Sequence, residues 1–257
     1  MTKLASSKGS NVLCVIPARG GSKGIPRKNL CSLYGKPLLH YALTSALNTE
    51  LCSRVVVSSE DTEILELAEE YLPGCGLHRP DILASDEASS LSVLQHVLAV
   101  CEKTDKTEYE IVILVQVTNP LVKPEDIDRT ILKLEQNDCD SCFTVVRLDH
   151  VYPEKLKKLN RDELVPAFGE ELETLRRQSV PDLYMRNGSC YAARRDTLLN
   201  GSLFGKKSLA VIIPKYRSID INDTDDLVLA EAMLRYLENT KIKNIHLLRG
   251  AEKQSEI

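Results

Sequence analysis

The sequence contains no tryptophan, and aromatic residues make up only 5% of the chain. Proteins that bind single-stranded nucleic acids without sequence preference need exposed aromatic rings on which bases stack, and this composition argues against such a surface. The 33 basic residues are outnumbered by 37 acidic ones, which gives a formal net charge of −4. A general nucleic-acid binder carries a basic excess, so that class is disfavoured too, although a local basic cluster can still bind an anionic ligand.

The chain also lacks a long hydrophobic run. No stretch of 18 uncharged apolar residues is present, so no membrane-spanning helix is expected. The opening residues, MTKLASSKGSN, contain no apolar segment of the kind found in secretory signals, and we therefore expect a cytoplasmic protein. The 8 cysteines should then be reduced thiols, most of them buried as small hydrophobic residues. Cys139 and Cys142 form a lone CxxC, which does not predict a zinc site.

Short apolar runs alternate with amphipathic patterns along the chain. Strands are predicted at 12–16, 54–59, 111–117, 141–146, 188–194 and 209–214. Helices are predicted at 37–48, 62–72, 90–103, 124–136 and 223–239. Apolar strands separated by helices indicate parallel βαβ units with helices on both faces of the sheet. The run at 111–117 should be the central strand, and ligands should bind beyond the carboxyl ends of the strands, where residues 58–61 and 116–120 are also expected to lie.

We expect one domain over residues 11–240, followed by a polar tail at 241–257. The regular alternation stops near residue 148, and the stretch from about 150 to 188 is charged and contains three prolines. This stretch is predicted to be an irregular surface excursion or an arm that contacts a second subunit.

A glycine-rich loop, ARGGSKGIPRKN, occupies residues 18–29 and follows the first predicted strand. Adjacent glycines allow backbone N–H groups to turn towards an anion. Arginine offers a planar fork for phosphate oxygens, and lysine offers a point charge. The position of the glycines favours a polyphosphate site over the alternative, a solvated basic turn.

This glycine-rich loop, called the phosphate loop below, fits neither of two common phosphate-binding fingerprints. GxxxxGK[ST] cannot be drawn through it, and Gly20 and Gly21 are adjacent rather than spaced as in GxGxxG. The sequence therefore does not support a P-loop kinase or a dinucleotide-dependent dehydrogenase.

Five ordered segments resemble the acylneuraminate cytidylyltransferases, the CMP-sialic acid synthetases. The match spans roughly residues 11–236. Its five segments, in order, are VIPARGGSKGIPRKN with GKPLL, HRPDILASDEASS, LVQVTNPLV, RRQSVPDLYMRNGSCY and SIDINDTDDLVLAEA. The resemblance implies a three-layer α/β/α nucleotidyltransferase domain, GT-A-like and Rossmann-like, with a mostly parallel sheet and a small dimerisation excursion. It also implies a homodimeric, Mg²⁺-dependent enzyme that joins CMP from CTP to an acidic nine-carbon sugar and releases pyrophosphate, with no nucleic-acid or membrane partner.

The resemblance assigns the nucleotide to seven positions: Arg19, Lys23, Lys28, Asn29, Arg79, Ala88 and Ser90. Arg19 should contact the triphosphate and Lys28 should neutralise the phosphate being transferred, which makes both of them catalytic candidates. Arg27, in the same loop, is equally well explained as a surface cation. Ser89 or Ser90 is expected to cap the helix at 90–103, so the alternative for Ser90 is a plain helix cap. The alternative for Arg79 is a salt bridge with Asp81 or Asp86.

The resemblance assigns the sugar to five further positions: Gln116, Arg177, Gln178, Asn187 and Tyr191. A guanidinium fork suits a substrate carboxylate, so Arg177 is also a catalytic candidate. The alternative for Arg177 and Gln178 is a charged surface, and the alternative for Gln116 is a polar strand end. Some members carry a second glutamine where this chain has Ser179, which leaves open whether the acceptor is an acylneuraminate, legionaminic or pseudaminic acid, or the eight-carbon acid Kdo.

Asp220 and Asn222 match the metal position of the same family. Mg²⁺ takes one or two carboxylates together with phosphate oxygens and waters. Members usually carry Asp-x-Asp, whereas this chain has Asp220-Ile221-Asn222, so a lower metal affinity is expected, and a relative that binds nucleotide without turnover remains an alternative. Asp223 is expected to cap the last helix instead.

Overall fold

The computed structural model describes residues 10–149, 151–169 and 182–240. The strands in these ranges are β1 (Val12–Pro17), β2 (Ser32–Leu33), β3 (Lys36–Pro37), β4 (Arg54–Ser59), β5 (Gly76–His78), β6 (Ile111–Val115), β7 (Ser141–Arg147), β8 (Lys157–Asn160), β9 (Glu163–Pro166), β10 (Tyr184–Arg194) and β11 (Ser208–Ile212). The α-helices are α1 (Leu38–Leu47), α2 (Thr62–Tyr71), α3 (Ser90–Asp105), α4 (Pro124–Glu135), α5 (Arg195–Leu199) and α6 (Thr224–Thr240).

Seven strands form the main sheet, in the order β11-β7-β10-β6-β1-β4-β5. Strand β10 runs antiparallel to its neighbours β6 and β7, and every other neighbouring pair is parallel. The prediction of a mostly parallel sheet with the 111–117 run at its centre is confirmed, since β6 is the fourth of the seven strands.

Helices cover both faces of the sheet, because the strands are apolar on both sides. In β1, Cys14 and Ile16 belong to the core on the face covered by α1, α2, α4 and α6. Leu13 and Val15 alternate with them and belong to the core on the other face, under α3 and α5. Alternation along a strand sends successive side chains to opposite faces. The predicted three-layer α/β/α class is therefore confirmed.

The stretch after β7 is more regular than its composition predicts. Strands β8 and β9 pair with each other as an antiparallel hairpin, separate from the main sheet. Strand β10 also begins at Tyr184, four residues before the predicted 188–194 strand. Within the described ranges, no helix is both long enough and apolar enough to cross a membrane.

The carboxyl ends of β1, β4 and β6 meet at one edge of the sheet, because these strands are parallel and β1 lies between the other two. The phosphate loop follows β1 directly, Glu60 and Asp61 follow β4, and Gln116 follows β6. This topology brings three separate polar segments to the edge at which open α/β sheets bind ligands.

Candidate nucleotide-binding site

A cleft of about 310 Å³ opens at this edge. Its floor is formed by the ends of β1 and β6, and one wall includes the first turn of α3. Seven of the predicted site residues line it: Arg19, Lys28, Asn29, Arg79, Ala88, Ser90 and Gln116. Six of these carry a nucleotide role by resemblance, so residues that are far apart in sequence share one cavity.

The phosphate loop is held close to the sheet by hydrogen bonds to its own backbone. The buried Asn29 donates from Nδ2 to the Arg19 carbonyl at 2.7 Å. The Gly20 N–H donates to Glu60 Oε1 at 2.7 Å. A Cβ at Gly20 would collide with the Asp61 carboxylate. The close approach of the phosphate loop to the residues that follow β4 therefore requires glycine at this position.

Two cations of the loop converge on one carboxylate at the mouth of the cleft. Arg19 Nη1 lies 2.7 Å from Asp86 Oδ1, and Lys23 Nζ lies 2.9 Å from Asp86 Oδ2. Hydrogen bonds from Lys23 and then Arg19 lower the pKa of Asp86 below its usual value. Asp86 thus pairs with two of the cations that the resemblance assigns to the nucleotide. This residue was considered in the sequence only as a partner for Arg79.

Lys28 points in another direction from the same loop. Its Nζ donates to the Ile221 carbonyl at 3.0 Å, which links the phosphate loop to the segment that carries Asp220. Arg27 lies apart from the cleft lining, because its guanidinium contacts Asp61 at 3.2 Å and Glu63 at 2.7 Å in the first turn of α2. Arg27 is therefore a surface cation in this structure.

Arg79 is buried, with only 3% of its surface exposed. Its Nε and Nη2 donate to Glu60 Oε2 at 3.2 and 3.0 Å. The predicted alternative of a salt bridge with Asp81 or Asp86 is therefore wrong, and Glu60 is the partner. Glu60 belongs to the 58–61 segment that the sequence places at the ligand edge, but its role as the partner of Arg79 was not predicted.

The segment before α3 presents small polar groups to the cleft. The cap of α3 is Ser89, whose Oγ accepts a hydrogen bond from the Ser92 N–H at 3.1 Å. Of the two predicted candidates, Ser89 is therefore the cap, and Ser90 is the first residue of the helix, where it is exposed and lines the cleft. The Ala88 N–H donates to the Ser85 carbonyl at 3.2 Å, which closes a turn beside it.

Of the predicted sugar-binding residues in the described ranges, only Gln116 lines the cleft. Asn187 is buried and donates from Nδ2 to Ser218 Oγ at 3.0 Å. The Tyr191 ring packs edge-on against Phe143 with centroids 5.3 Å apart, and burial raises its pKa. Neither residue is part of the cleft lining. Arg177, Gln178 and Ser179 lie outside the described residues.

Asp220 receives one amide N–H on each carboxylate oxygen. Asn119 Nδ2 donates to Oδ1 at 3.0 Å, and Asn222 Nδ2 donates to Oδ2 at 3.2 Å. Asp223 accepts from the N–H groups of Asp225 and Asp226 at 3.0 and 3.1 Å, so its predicted role as the cap of α6 is confirmed.

The metal position offers a single carboxylate. In the part of the chain that the structure describes, no group of three or more His, Cys, Asp or Glu residues could hold a metal ion. Mg²⁺ usually keeps several waters and binds one or two carboxylates together with substrate phosphates. Asp220 fits that mode of binding, in which the nucleotide supplies the remaining charge.

An α/β domain with a cationic glycine-rich loop at the carboxyl edge of its sheet has the architecture of a nucleotidyltransferase. The sequence model of one such family, described as cytidylyltransferase, matches residues 13–216. The chain belongs to this family, and the resemblance to the acylneuraminate cytidylyltransferases is confirmed.

Curated relatives extend over most of the chain. It is 32% identical over 225 residues to a pseudaminic acid cytidylyltransferase of Campylobacter jejuni, a match that covers 87% of this chain and 96% of that protein. It is 31% identical over 251 residues to an N-acylneuraminate cytidylyltransferase of Escherichia coli, covering 96% of this chain and 58% of the relative. These relatives support a cytidylyltransferase activity.

A solved structure supports the fold independently. The chain superposes on the CTP complex of CMP:2-keto-3-deoxy-manno-octonic acid synthetase with a TM-score of 0.63, at 20% sequence identity. The superposition covers 88% of this chain and 99% of that one.

Proposed function

We propose that this protein transfers CMP from CTP to the anomeric hydroxyl of an acidic nine-carbon sugar, an N-acylneuraminate or a close relative, and releases pyrophosphate. The observation that carries the proposal is the composition of the cleft. Its phosphate-loop cations, Arg19 and Lys28, share it with Arg79 and Ser90, the residues proposed to recognise the base. The similarity to cytidylyltransferases of acidic sugars supports the same reaction class.

The phosphate loop supplies the charge that the reaction needs. Both substrates are anionic, so catalysis depends on holding them in line and stabilising charge on the transferring phosphate. The triphosphate displaces Asp86 and takes over the donors of Arg19 and Lys23, and Lys28 neutralises the phosphate being transferred. The sugar oxygen bonds to the α-phosphorus as the bond to the β-phosphate oxygen breaks. Pyrophosphate leaves with that electron pair, and the hydroxyl proton passes to water.

Arg79 is placed to recognise the base because Glu60 fixes its orientation. Glu60 occupies Nε and Nη2, which leaves the Nη1 donors of the guanidinium for the pyrimidine carbonyl. The Ser90 hydroxyl and the backbone at Ala88 complete the recognition of the opposite edge of the cytosine.

Asp220, with Asn222 beside it, would hold the Mg²⁺ that accompanies the triphosphate. The ion would neutralise triphosphate charge. Substitution of the usual second carboxylate by Asn222 leaves an amide oxygen for a metal-bound water, and we expect this to lower the Mg²⁺ affinity of the site.

Pseudaminic acid is the second candidate acceptor. It is favoured by the similarity to the Campylobacter jejuni enzyme, which this chain matches over 96% of its length. Gln116 is the proposed sugar contact that lines the described cleft, and Arg177 and Gln178 are the proposed contacts to the substrate carboxylate and its neighbouring groups.

The acceptor is tested with purified protein, CTP, Mg²⁺ and a panel of N-acylneuraminic, legionaminic, pseudaminic and Kdo acids. We expect pyrophosphate release with one of the nine-carbon acids, and little when ATP, GTP or UTP replaces CTP. No release with any acid would contradict the proposal. Calorimetric binding of CTP without release would instead indicate a nucleotide-binding protein without turnover.

A homodimer and a cytosolic location are part of the same proposal. The β8–β9 hairpin supports the dimer, because it exposes the apolar side chains of Leu159 and Leu164. The eight free thiols support a reducing compartment.

A further inference from the structure

Asn119 is a fully buried amide, with 0% of its surface exposed, and it follows directly after Thr118, which lines the cleft. It lies in the turn after β6, where its own N–H donates to the Gln116 carbonyl at 3.4 Å. The neighbouring Thr118 carbonyl accepts from the Ile221 N–H at 2.8 Å. The turn is thereby joined to the segment that carries Asp220, whose Ile221 carbonyl also accepts a hydrogen bond from Lys28.

The orientation of the Asn119 side chain follows from its partners. An ionised carboxylate can only accept hydrogen bonds, so the contact of 3.0 Å to Asp220 Oδ1 is made by Nδ2. The Asn119 Oδ1 then accepts from Ser189 Oγ at 3.1 Å. Gly188 makes room for the amide: it has a φ of +81°, and a Cβ there would lie 2.8 Å from Asn119 Nδ2. The amide therefore sits in a site that is built around it.

The hydrogen bond from Asn119 Nδ2 fixes the orientation of the Asp220 carboxylate. Asn222, the donor to the other oxygen, is exposed, so water can replace it. Asn119 is buried, and no water can take its place without a change in the turn. The two hydrogen bonds hold the Asp220 carboxylate in one rotamer, while each oxygen keeps a second lone pair for a cation.

We propose that Asn119 is a positioning residue for the divalent cation of the nucleotide: its buried amide holds the only carboxylate of the metal position in the orientation that binds the cation. This inference rests on the proposed function. A site with two carboxylates can tolerate a loose ligand, but a site with one depends on the groups that orient it.

The test measures cation binding apart from turnover. Mn²⁺ is titrated into the full-length protein in the presence of CTP, without sugar, and the free ion is measured by electron paramagnetic resonance. We expect Asn119→Leu to weaken Mn²⁺ binding about 10-fold, the lower end of the usual effect of removing an orienting partner. CTP binding measured with EDTA present should stay within about twofold of the parent, since the amide does not contact the phosphate loop.

Two further variants make the result decisive. The Asn119→Ser variant replaces Asn119→Leu if the latter does not fold. Its side chain is small and polar, which suits a buried site, and it is too short to reach Asp220. Thr130→Val removes a buried hydroxyl on α4 and controls for a general loss of stability. Mn²⁺ affinity within twofold of the parent in a folded Asn119 variant would overturn the inference, as would an equal loss in Thr130→Val.

The parent protein separates this inference from the proposed function. A parent that binds neither CTP nor Mn²⁺ would overturn both. A parent that binds CTP and Mn²⁺, and whose Asn119 variants bind them equally well, would overturn the role of Asn119 alone.

Discussion

In the proposed function, Asp86 competes with the triphosphate for the cations of the phosphate loop. It is exposed and contacts both Arg19 and Lys23, so a triphosphate that uses both side chains would have to replace this carboxylate as their partner. Because these contacts lower the pKa of Asp86, the carboxylate keeps its charge until the pH falls below its usual range. The competition therefore persists at neutral pH and disappears only as the pH drops through the lowered pKa.

Replacing Asp86 by asparagine should tighten the binding of CTP. The change removes the competing charge and keeps the size of the side chain. Exposed ion pairs are weak, so we expect a dissociation constant about two- to fivefold lower in metal-free calorimetry. Asp81→Asn, on an exposed carboxylate nearby in sequence, should have little effect. Weaker binding in Asp86→Asn would show that this carboxylate assists the nucleotide.

Sequence predicts the chemistry of individual residues better than their partners. The order of the motifs identifies the family and thereby assigns nucleotide roles to Arg19, Lys28 and Ser90, which all line the cleft; these roles stay predictions. The Glu60–Arg79 pair could not be predicted, since it depends on how β4 and β5 align in three dimensions. Asn119 lies in the 116–120 segment that the sequence places at the ligand edge, but its contact with Asp220 could not be predicted, because it forms only when the 220–222 segment folds against that turn.

At the scale of elements, the phosphate loop and the segment at 220–222 pack together at Gly24. A Cβ at this position would collide with the Asn222 carbonyl, which belongs to the backbone and cannot move aside as a side chain could. The contact explains why the loop can bring Lys28 to Ile221, and it makes the two segments one structural unit.

Gly24→Ala should therefore destabilise the protein. Overpacking against backbone costs about 2 kcal/mol, which we expect as a loss in the free energy of unfolding measured with urea. Gly21→Ala is the matched control, because a Cβ there meets nothing within 4 Å, and its effect should stay within about 0.5 kcal/mol. Equal stability of the two variants would contradict the close contact.

Elements that bury apolar faces were predicted well, and those that do not were missed. The five apolar residues of β6 identify a central strand without further information. Strands β8 and β9 were predicted as irregular, because KKLN and ELVP carry few apolar residues and bury little. Their pairing depends on a tight turn in which Arg161 adopts a φ of 56°, a feature that composition does not reveal.

At the scale of the whole molecule, the β8–β9 hairpin is the proposed subunit contact. Leu159 and Leu164 are cross-strand partners, and each is 69% exposed. Apolar side chains paired on one exposed face of a hairpin are typical of a surface that another chain covers.

Leu159→Asp combined with Leu164→Asp should dissociate the dimer. Burying two carboxylates without partners is unfavourable, so sedimentation equilibrium should give a dimer mass for the parent and a monomer mass for the double variant. Leu199→Asp, at another exposed leucine, should remain dimeric. A monomeric parent, or a double variant that sediments like the parent, would exclude the hairpin as the contact.

The most direct test of the central claim, that the phosphate loop binds the triphosphate for transfer, compares three single substitutions in that loop. Arg19→Ala and Lys28→Ala remove cations that line the cleft, whereas Arg27→Ala removes one that contacts Asp61 and Glu63 outside it. We expect the rate of CTP-dependent pyrophosphate release to fall about 100-fold in each of the first two variants and to stay close to the parent rate in Arg27→Ala. Parent-like rates in Arg19→Ala and Lys28→Ala would contradict the claim.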